Sequence, residues 1–278
     1  MRPDAFAAVM ATGIVSIAAE DHGFHRISDA LIVVAVALFA ALTIAAIFRL
    51  RPDLDDLDAP LQLLTFVAAC AVVGTRLSWW PLGAVGLLGW LLLLPLALLG
   101  MWRHRWTGLR DRARGGWELA GVATSGLAIV AADLGFAAAA IGLLALAICL
   151  YCAMTGLVLW RAAHEPSAAD LYQPDMWILM GGAAIATLAG DHIFEAGVQQ
   201  IRPVTVVTWL VASAWIPLLV AASVRVRDGN WWAAVFPLGM YSSATFATAV
   251  ETGWHWLTAI SPAHLLANWA RLHTLRVD

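Results

Sequence analysis

Two kinds of apolar run alternate along the chain. Short runs rich in Gly, Ala, Ser and Thr alternate with longer runs rich in Leu, Ile and Val. The segment GGAAIATLAG, residues 181–190, has eight Gly, Ala or Thr in ten positions, whereas GLLGWLLLLPLALL, residues 86–99, has nine Leu in fourteen. The small-residue runs lie near residues 5–19, 61–75, 117–132, 175–190 and 231–250. The leucine-rich runs lie near residues 30–48, 81–102, 134–160 and 204–224, and a weaker tenth run lies near 253–270. Apolar runs of this length predict transmembrane helices.

The small-residue runs end at charged residues with nearly constant spacing. Those residues are Glu20, Arg76, Asp133, Asp191 and Glu251, and they are 56, 57, 58 and 60 positions apart. Even spacing would also arise from hairpins of equal size, but the matching composition favours true repetition. We therefore predict one transmembrane domain, residues 1–278, of five tandem helical hairpins. Their approximate ranges are 1–50, 57–102, 115–161, 173–224 and 230–272. Because Pro262, His264 and Arg271 make the tenth run polar, we expect the last hairpin to be short and tilted or incomplete.

The contrast in side-chain size predicts which helices face lipid. Leucine-rich helices can face lipid at no cost, whereas helices that pack on one another need small residues. We predict an all-α membrane protein with an inner ring of five helices around a central pore and an outer ring facing lipid. Such a pore offers hydroxyls and backbone but almost no fixed charge, which favours a weakly held anion. The predicted pore-lining residues are Thr12, Gly13, Thr124, Ser125, Gly181, Gly182, Gly239, Ser243 and Thr245.

Composition and charge agree with a membrane protein and indicate its orientation. Only 13% of residues are charged, against about 25% in soluble domains. The net charge of −3 argues against nucleic acid as a partner, because phosphate binding needs a basic patch. Ten arginines follow the leucine-rich runs and three lie at the opposite ends. The positive-inside rule then predicts a cytoplasmic N-terminus.

The ninth run contains a bulky residue directly before a proline. Phe236 and Pro237 interrupt the small residues of WWAAVFPLGMYSSATFATAVE, residues 231–251. A proline inside a helix removes one hydrogen bond and kinks the helix. The kink can aim the Phe236 ring into a narrow pore, where it would act as a gate. The alternative is that Phe236 packs between helices and has no gating role.

Other polar groups leave several interpretations open. Glu118 lies at the start of the fifth run, where the helix dipole favours a carboxylate; alternatively it faces a vestibule and takes part in proton coupling. Asp191, His192 and Glu195 in DHIFE favour a polar cluster at the pore mouth over a metal site. We expect no metal, no cofactor and no enzyme activity, since H-E-x-x-H is absent. A membrane-embedded metal or haem enzyme and a non-transporting scaffold subunit are the alternatives.

Two segments resemble one membrane-protein family. FAAVMATGIVSIAAE, residues 6–20, and the run around Phe236 are similar to the TehA-type tellurite-resistance/dicarboxylate transporter family. That family includes fungal malate and sulfite transporters and plant slow anion channels. The resemblance implies ten helices, five of them around a pore, and a homotrimer in the bacterial inner membrane. It also implies passage of a small anion, such as malate, sulfite, tellurite or a monovalent inorganic anion, and a gating phenylalanine that matches Phe236, with Phe246 as the alternative.

Overall fold

The computed structural model describes residues 2–49, 51, 56–165, 173–223, 232–254, 256, 257 and 261, and these contain helices and no strands. The helices of small residues are α1 (Ala7–Asp21), α3 (Asp58–Arg76), α6 (Leu119–Asp133), α8 (Ile178–Glu195) and α10 (Trp232–Thr252). The leucine-rich helices are α2 (His25–Arg49), α4 (Trp80–Arg103), α7 (Ala137–His164) and α9 (Arg202–Ser223). One short helix, α5 (Arg105–Arg110), follows α4, so the ninth predicted span is α10. Single 3-10 turns, Gly115–Glu118 and Pro174–Trp177, lead into α6 and α8.

The five small-residue helices form a closed ring. Helix α1 packs against α3, α3 against α6, α6 against α8, α8 against α10, and α10 returns to α1. Each of α2, α4, α7 and α9 packs on the outside against the inner helix that precedes it. The predicted inner ring of five helices within an outer ring is therefore confirmed.

Glycines allow the ring helices to approach one another closely. A Cβ atom at Gly13 would lie 2.7 Å from Val72 on α3, and one at Gly239 would lie 2.8 Å from Ile14 on α1. The other contacts of this kind are Gly126 with Ala71 at 2.9 Å and Gly181 with Pro237 at 3.1 Å. Side chains larger than hydrogen would push the backbones apart at these points. The small residues thus set the diameter of the ring.

The outer helices present their large side chains to the surroundings. Seven of the described helices are long and apolar enough to cross a membrane. In the outer helices of this set 11–28% of the residues of the apolar segment are buried, whereas in the inner helices 78–83% are buried. Leu88 and Leu92 on α4 and Ile47 on α2 are 64%, 68% and 68% exposed. Lipid tails are the partners that such an apolar surface requires. The all-α membrane fold predicted from the sequence is confirmed.

Most of the predicted tenth run lies outside the described residues. One contact, made by Ser261 near the middle of that run, shows that this residue lies beside α10. Ser242 Oγ donates to the Ser261 carbonyl at 3.1 Å, and Ser261 Oγ donates to the Ser242 carbonyl at 2.6 Å. The same reciprocal pair joins Ser16 on α1 to Ser28 on α2, at 2.8 Å in both directions. The chain therefore returns alongside α10 after Glu251.

Polar contacts join the ring helices at both ends. We call the end where the inner helices begin the N-terminal face, and the end where they finish the C-terminal face. At the N-terminal face, Trp117 Nε1 donates to Asp58 at 2.8 Å. At the C-terminal face, Arg76 donates to Glu20 at 3.2 Å and the His192 ring bonds Asp133 at 2.6 Å. Three of the charges that marked the predicted repeat, Glu20, Arg76 and Asp133, thus connect one repeat to the next.

Candidate functional site

A cavity of about 240 Å³ enters the ring from the N-terminal face. We call it the N-terminal vestibule. All five inner helices or the turns before them contribute to its wall. One apolar residue from each is Met10, Leu61, Leu119, Ile178 and Phe236. The opening therefore lies on the axis of the ring.

A second cavity, of about 340 Å³, enters from the C-terminal face. We call it the C-terminal vestibule. Its wall again includes every inner helix. One residue from each is Ile14, Val72, Ile129, Ile185 and Met240. The two vestibules therefore share the ring axis and approach each other from opposite faces.

A thin layer of side chains separates the two vestibules. On α1, Met10 lines the first cavity and Ile14 the second; on α10, Phe236 lines the first and Met240 the second. Each pair is four residues apart, which is about 6 Å along a helix. No described residue lines both cavities. On α3, α6 and α8 the nearest lining residues of the two cavities are six or seven positions apart, so the axis is closed over one to two helical turns.

Phe236 belongs to this closed layer. Its side chain is 2% exposed and lines the N-terminal vestibule. Pro237 lies inside α10, where it packs against Gly181 of α8 and lacks the N–H that would bond the preceding turn. Phe246, the alternative candidate, lines the other vestibule, with its ring centroid 5.3 Å from that of His22. The two candidates therefore differ in position: Phe236 lies in the closed layer at the N-terminal vestibule, and Phe246 lies on the wall of the C-terminal vestibule.

The family model of the voltage-dependent anion channels matches residues 1–274. The chain belongs to this family. The resemblance to the family of TehA-type transporters and slow anion channels is thereby confirmed.

Two relatives are uncharacterized membrane proteins from two strains of Mycobacterium tuberculosis. Each is 36% identical over 114 residues, and the match covers 35% of this chain. The chain spans 58% of the length of these relatives. They share its membrane character.

Within this anion-channel fold, several predicted lining residues form contacts between helices. Gly13, Gly181 and Gly239 occupy the close approaches of the ring described above. Gly182 faces α7, because a Cβ atom there would lie 2.9 Å from the ring of Tyr151. A lining role for these glycines stays a prediction.

Some hydroxyl groups of the predicted lining residues form hydrogen bonds within the protein, and others have no partner among the described residues. Thr124 accepts a hydrogen bond from Trp90 Nε1 of α4 at 2.8 Å, and Thr245 accepts one from Trp209 Nε1 of α9 at 3.1 Å. Thr12 donates to the Ala8 carbonyl. The two remaining predicted hydroxyls are Ser125 and Ser243, whose Oγ atoms are buried without a hydrogen-bond partner among the described residues. Of the nine predicted residues, Ser243 is the one on the wall of a described vestibule.

Sequence reasoning missed the large apolar residues of the two vestibules. Met10, Ile14, Ile178, Ile185 and Met240 form much of the wall at either side of the closed layer. A signal existed on two helices: Met10 with Ile14, and Phe236 with Met240, are bulky residues spaced four apart within small-residue runs. That spacing places both members of a pair on one helix face.

Glu118 lies outside both described vestibules. It is completely buried at the start of α6, and its Oε1 accepts a hydrogen bond from Thr155 Oγ1 of α7 at 2.5 Å. Its Oε2 has no hydrogen-bond partner among the described residues. A Cβ atom at Gly182 would lie 3.4 Å from that oxygen, so Gly182 leaves room for the carboxylate. The structural role favoured by the helix dipole and the alternative of proton coupling through Glu118 both stay open as interpretations of this residue.

Charged residues surround both pore mouths. The N-terminal vestibule holds two ion pairs, Arg114 with Asp58 at 2.9 Å and Arg2 with Asp4 at 3.0 Å, and also Asp175. Two arginines against three aspartates give a formal charge of −1. The C-terminal vestibule holds one arginine against four carboxylates, a formal charge of −3 with His192 neutral. Asp191, His192 and Glu195 lie at this mouth, and no group of three such residues in the described chain could hold a metal ion.

Proposed function

We propose that the protein passes small anions across the membrane along the axis of the inner ring, and that Phe236 closes this path. The observation that carries the proposal is the pair of coaxial vestibules separated by one to two helical turns of side chains. Phe236 is a large residue of that layer. Removing its ring would widen the axis at this layer.

The closed layer has no charged residue on any of the five inner helices. The uncharged segments are residues 10–14, 65–71, 119–126, 178–185 and 236–240. Cation selectivity needs carboxylates or converging carbonyls, and regular helices direct their carbonyls along their own axes. A layer without carboxylates presents no fixed negative charge that would exclude an anion. The substrate class we propose is therefore a small anion, either a C4-dicarboxylate such as malate or an inorganic anion such as tellurite, sulfite or a monovalent ion.

The orientation and assembly that we propose rest on the arginines and on family membership. Three arginines lie in the last turn of an outer helix at the N-terminal face, Arg49, Arg103 and Arg161, and Arg112 lies between α5 and α6 at the same face. That face would therefore be cytoplasmic by the positive-inside rule. A homotrimer in the bacterial inner membrane is the expected assembly.

The test measures anion flux into proteoliposomes for the wild type, Phe236→Ala and Phe6→Ala. Phe6 is a matched control: it is 3% exposed and packs against the rings of Phe39 and Phe66, at centroid distances of 5.9 and 5.1 Å, outside both vestibules. We expect Phe236→Ala alone to raise the flux. A scaffold subunit would show no flux in any variant. Equal flux in the two variants would show that Phe236 is an ordinary packing residue.

A further inference from the structure

The C-terminal vestibule carries negative charge at the place where an anion must pass. Of its four carboxylates, Glu20 is paired with Arg76. Asp21, Asp191 and Glu195 form no ion pair within the described residues, and the neighbouring His192 bonds Asp133. Glu195 is exposed, whereas Asp21 and Asp191 are partly buried. These two partly buried carboxylates repel any anion that enters the cavity while they are ionised.

Ser243 is an unused hydrogen-bond donor on the same wall. It is 1% exposed, lines the C-terminal vestibule, and lies next to the Asp21 carboxylate. No described atom meets hydrogen-bond geometry with its Oγ, and the Asp21 carboxylate is the polar group close enough to attract the hydroxyl. The hydroxyls of Ser242, Thr245 and Thr248 on the same helix are all bonded. A buried hydroxyl without a protein partner is completed by water or a ligand.

We propose that Ser243 binds the passing anion in the C-terminal vestibule, and that this binding requires protons on Asp21 and Asp191. The proposal rests on the proposed function. Each proton comes from solution at the C-terminal face and removes one negative charge. A protonated carboxyl also becomes a hydrogen-bond donor. Ser243 and Asp21 would then both donate to the anion, whereas an ionised Asp21 repels it and competes for the Ser243 hydroxyl.

The vestibule is small enough for the charge on Asp21 and Asp191 to act strongly on an anion inside it. A sphere of about 340 Å³ is roughly 9 Å across, close to the Debye length at physiological salt. Dissolved salt therefore screens the carboxylates poorly from an anion inside the cavity. The other titratable or charged groups at this mouth or next to it are Glu20, His22, Arg76, Asp133, His192, Glu195, Arg202 and Glu251.

The test measures nitrate uptake at about pH 7.5 and about pH 5.5, with the same pH on both sides so that protein orientation does not matter. Nitrate stays ionised at both values, so a change reports the protein. We expect wild-type uptake to rise at least tenfold at the lower pH, because a change of two pH units alters the protonated fraction of each ionised carboxylate by up to about 100-fold. The double variant Asp21→Asn/Asp191→Asn should reach the acid rate at both pH values. Ser243→Ala should keep the pH response but raise the nitrate concentration at half-maximal flux several-fold.

Asp111→Asn is the control, because it removes a carboxylate on the N-terminal side, outside both vestibules. It should behave as the wild type. A flat wild-type profile, an acid response that survives in the double variant, or an unchanged half-maximal concentration in Ser243→Ala would overturn the proposal. Phe236→Ala distinguishes a failure of this proposal from a failure of the proposed function. If Phe236→Ala passes no nitrate at either pH, the proposed function fails as well.

Discussion

The tight contact between α10 and α1 makes Gly239→Ala a sensitive probe of the ring. A Cβ atom at Gly239 would lie 2.8 Å from Ile14 Cγ2, whereas ordinary contacts begin at 3.4 Å. Either α10 moves outward by about 0.6 Å or Ile14 leaves its rotamer. Ile14 lies within α1, and a β-branched side chain in a helix has one strongly preferred rotamer. The backbone must therefore move.

The expected cost follows from two opposing effects. Overpacking of a close contact costs about 1–3 kcal/mol, while replacing a helical glycine by alanine returns about 0.5–1 kcal/mol. The net destabilisation should be about 1–2 kcal/mol. Gly142 on α7 is the matched control, because a Cβ atom there meets nothing within 4 Å. Gly142→Ala should therefore be neutral or stabilising.

The measurement is thermal unfolding in one detergent, followed by tryptophan fluorescence at one scan rate because membrane proteins often unfold irreversibly. We expect the unfolding temperature of Gly239→Ala to fall below the wild-type value and that of Gly142→Ala to equal or exceed it. If both variants unfold at the same temperature, glycine contacts do not set the diameter of the ring and the reasoning is wrong.

Two further substitutions test the buried polar contacts. Thr124→Val leaves the Trp90 indole N–H without its acceptor, so the unfolding free energy of this variant should fall by about 1–3 kcal/mol. Thr248→Val is the control, because the Thr248 hydroxyl bonds only the Ala244 carbonyl of its own helix. Equal losses in the two variants would show that the bond from Trp90 does not stabilise the protein. Glu118→Gln keeps an oxygen for Thr155, and flux assays should show an unchanged pH response because residue 118 contacts neither vestibule; a lost response would instead support proton coupling through Glu118.

The arrangement of the helices could be predicted because side-chain size differs between helices. Small-residue runs became the ring and leucine-rich runs became its exterior. The lining residues could not be predicted in the same way, because they depend on the rotation of each inner helix about its own axis. Both sides of an inner helix are apolar, so the pattern of polar residues does not show which side faces the pore. Gly13, for example, faces α3, whereas Ile14 faces the vestibule.

At the ends of the helices, too, one feature could be predicted from the sequence and another could not. The spacing of Glu20, Arg76 and Asp133 indicated the repeat, but not that these residues bond across it. Such contacts join residues 56 to 59 positions apart, and only the closed ring brings those positions together. Phe236 and Ser243 were predicted and do line a vestibule. For Phe236 the signal was its bulk and the following proline, which distinguished it within its own run.

The central claim is that anions cross along the axis of the ring past Phe236. Its most direct test is the current carried by Phe236→Ala in a planar bilayer with a tenfold chloride gradient, compared with the wild type. We expect a larger current than in the wild type, with a reversal potential close to the chloride equilibrium value, about 59 mV for a monovalent ion. A reversal potential that follows the cation, or no increase in current, would contradict the account.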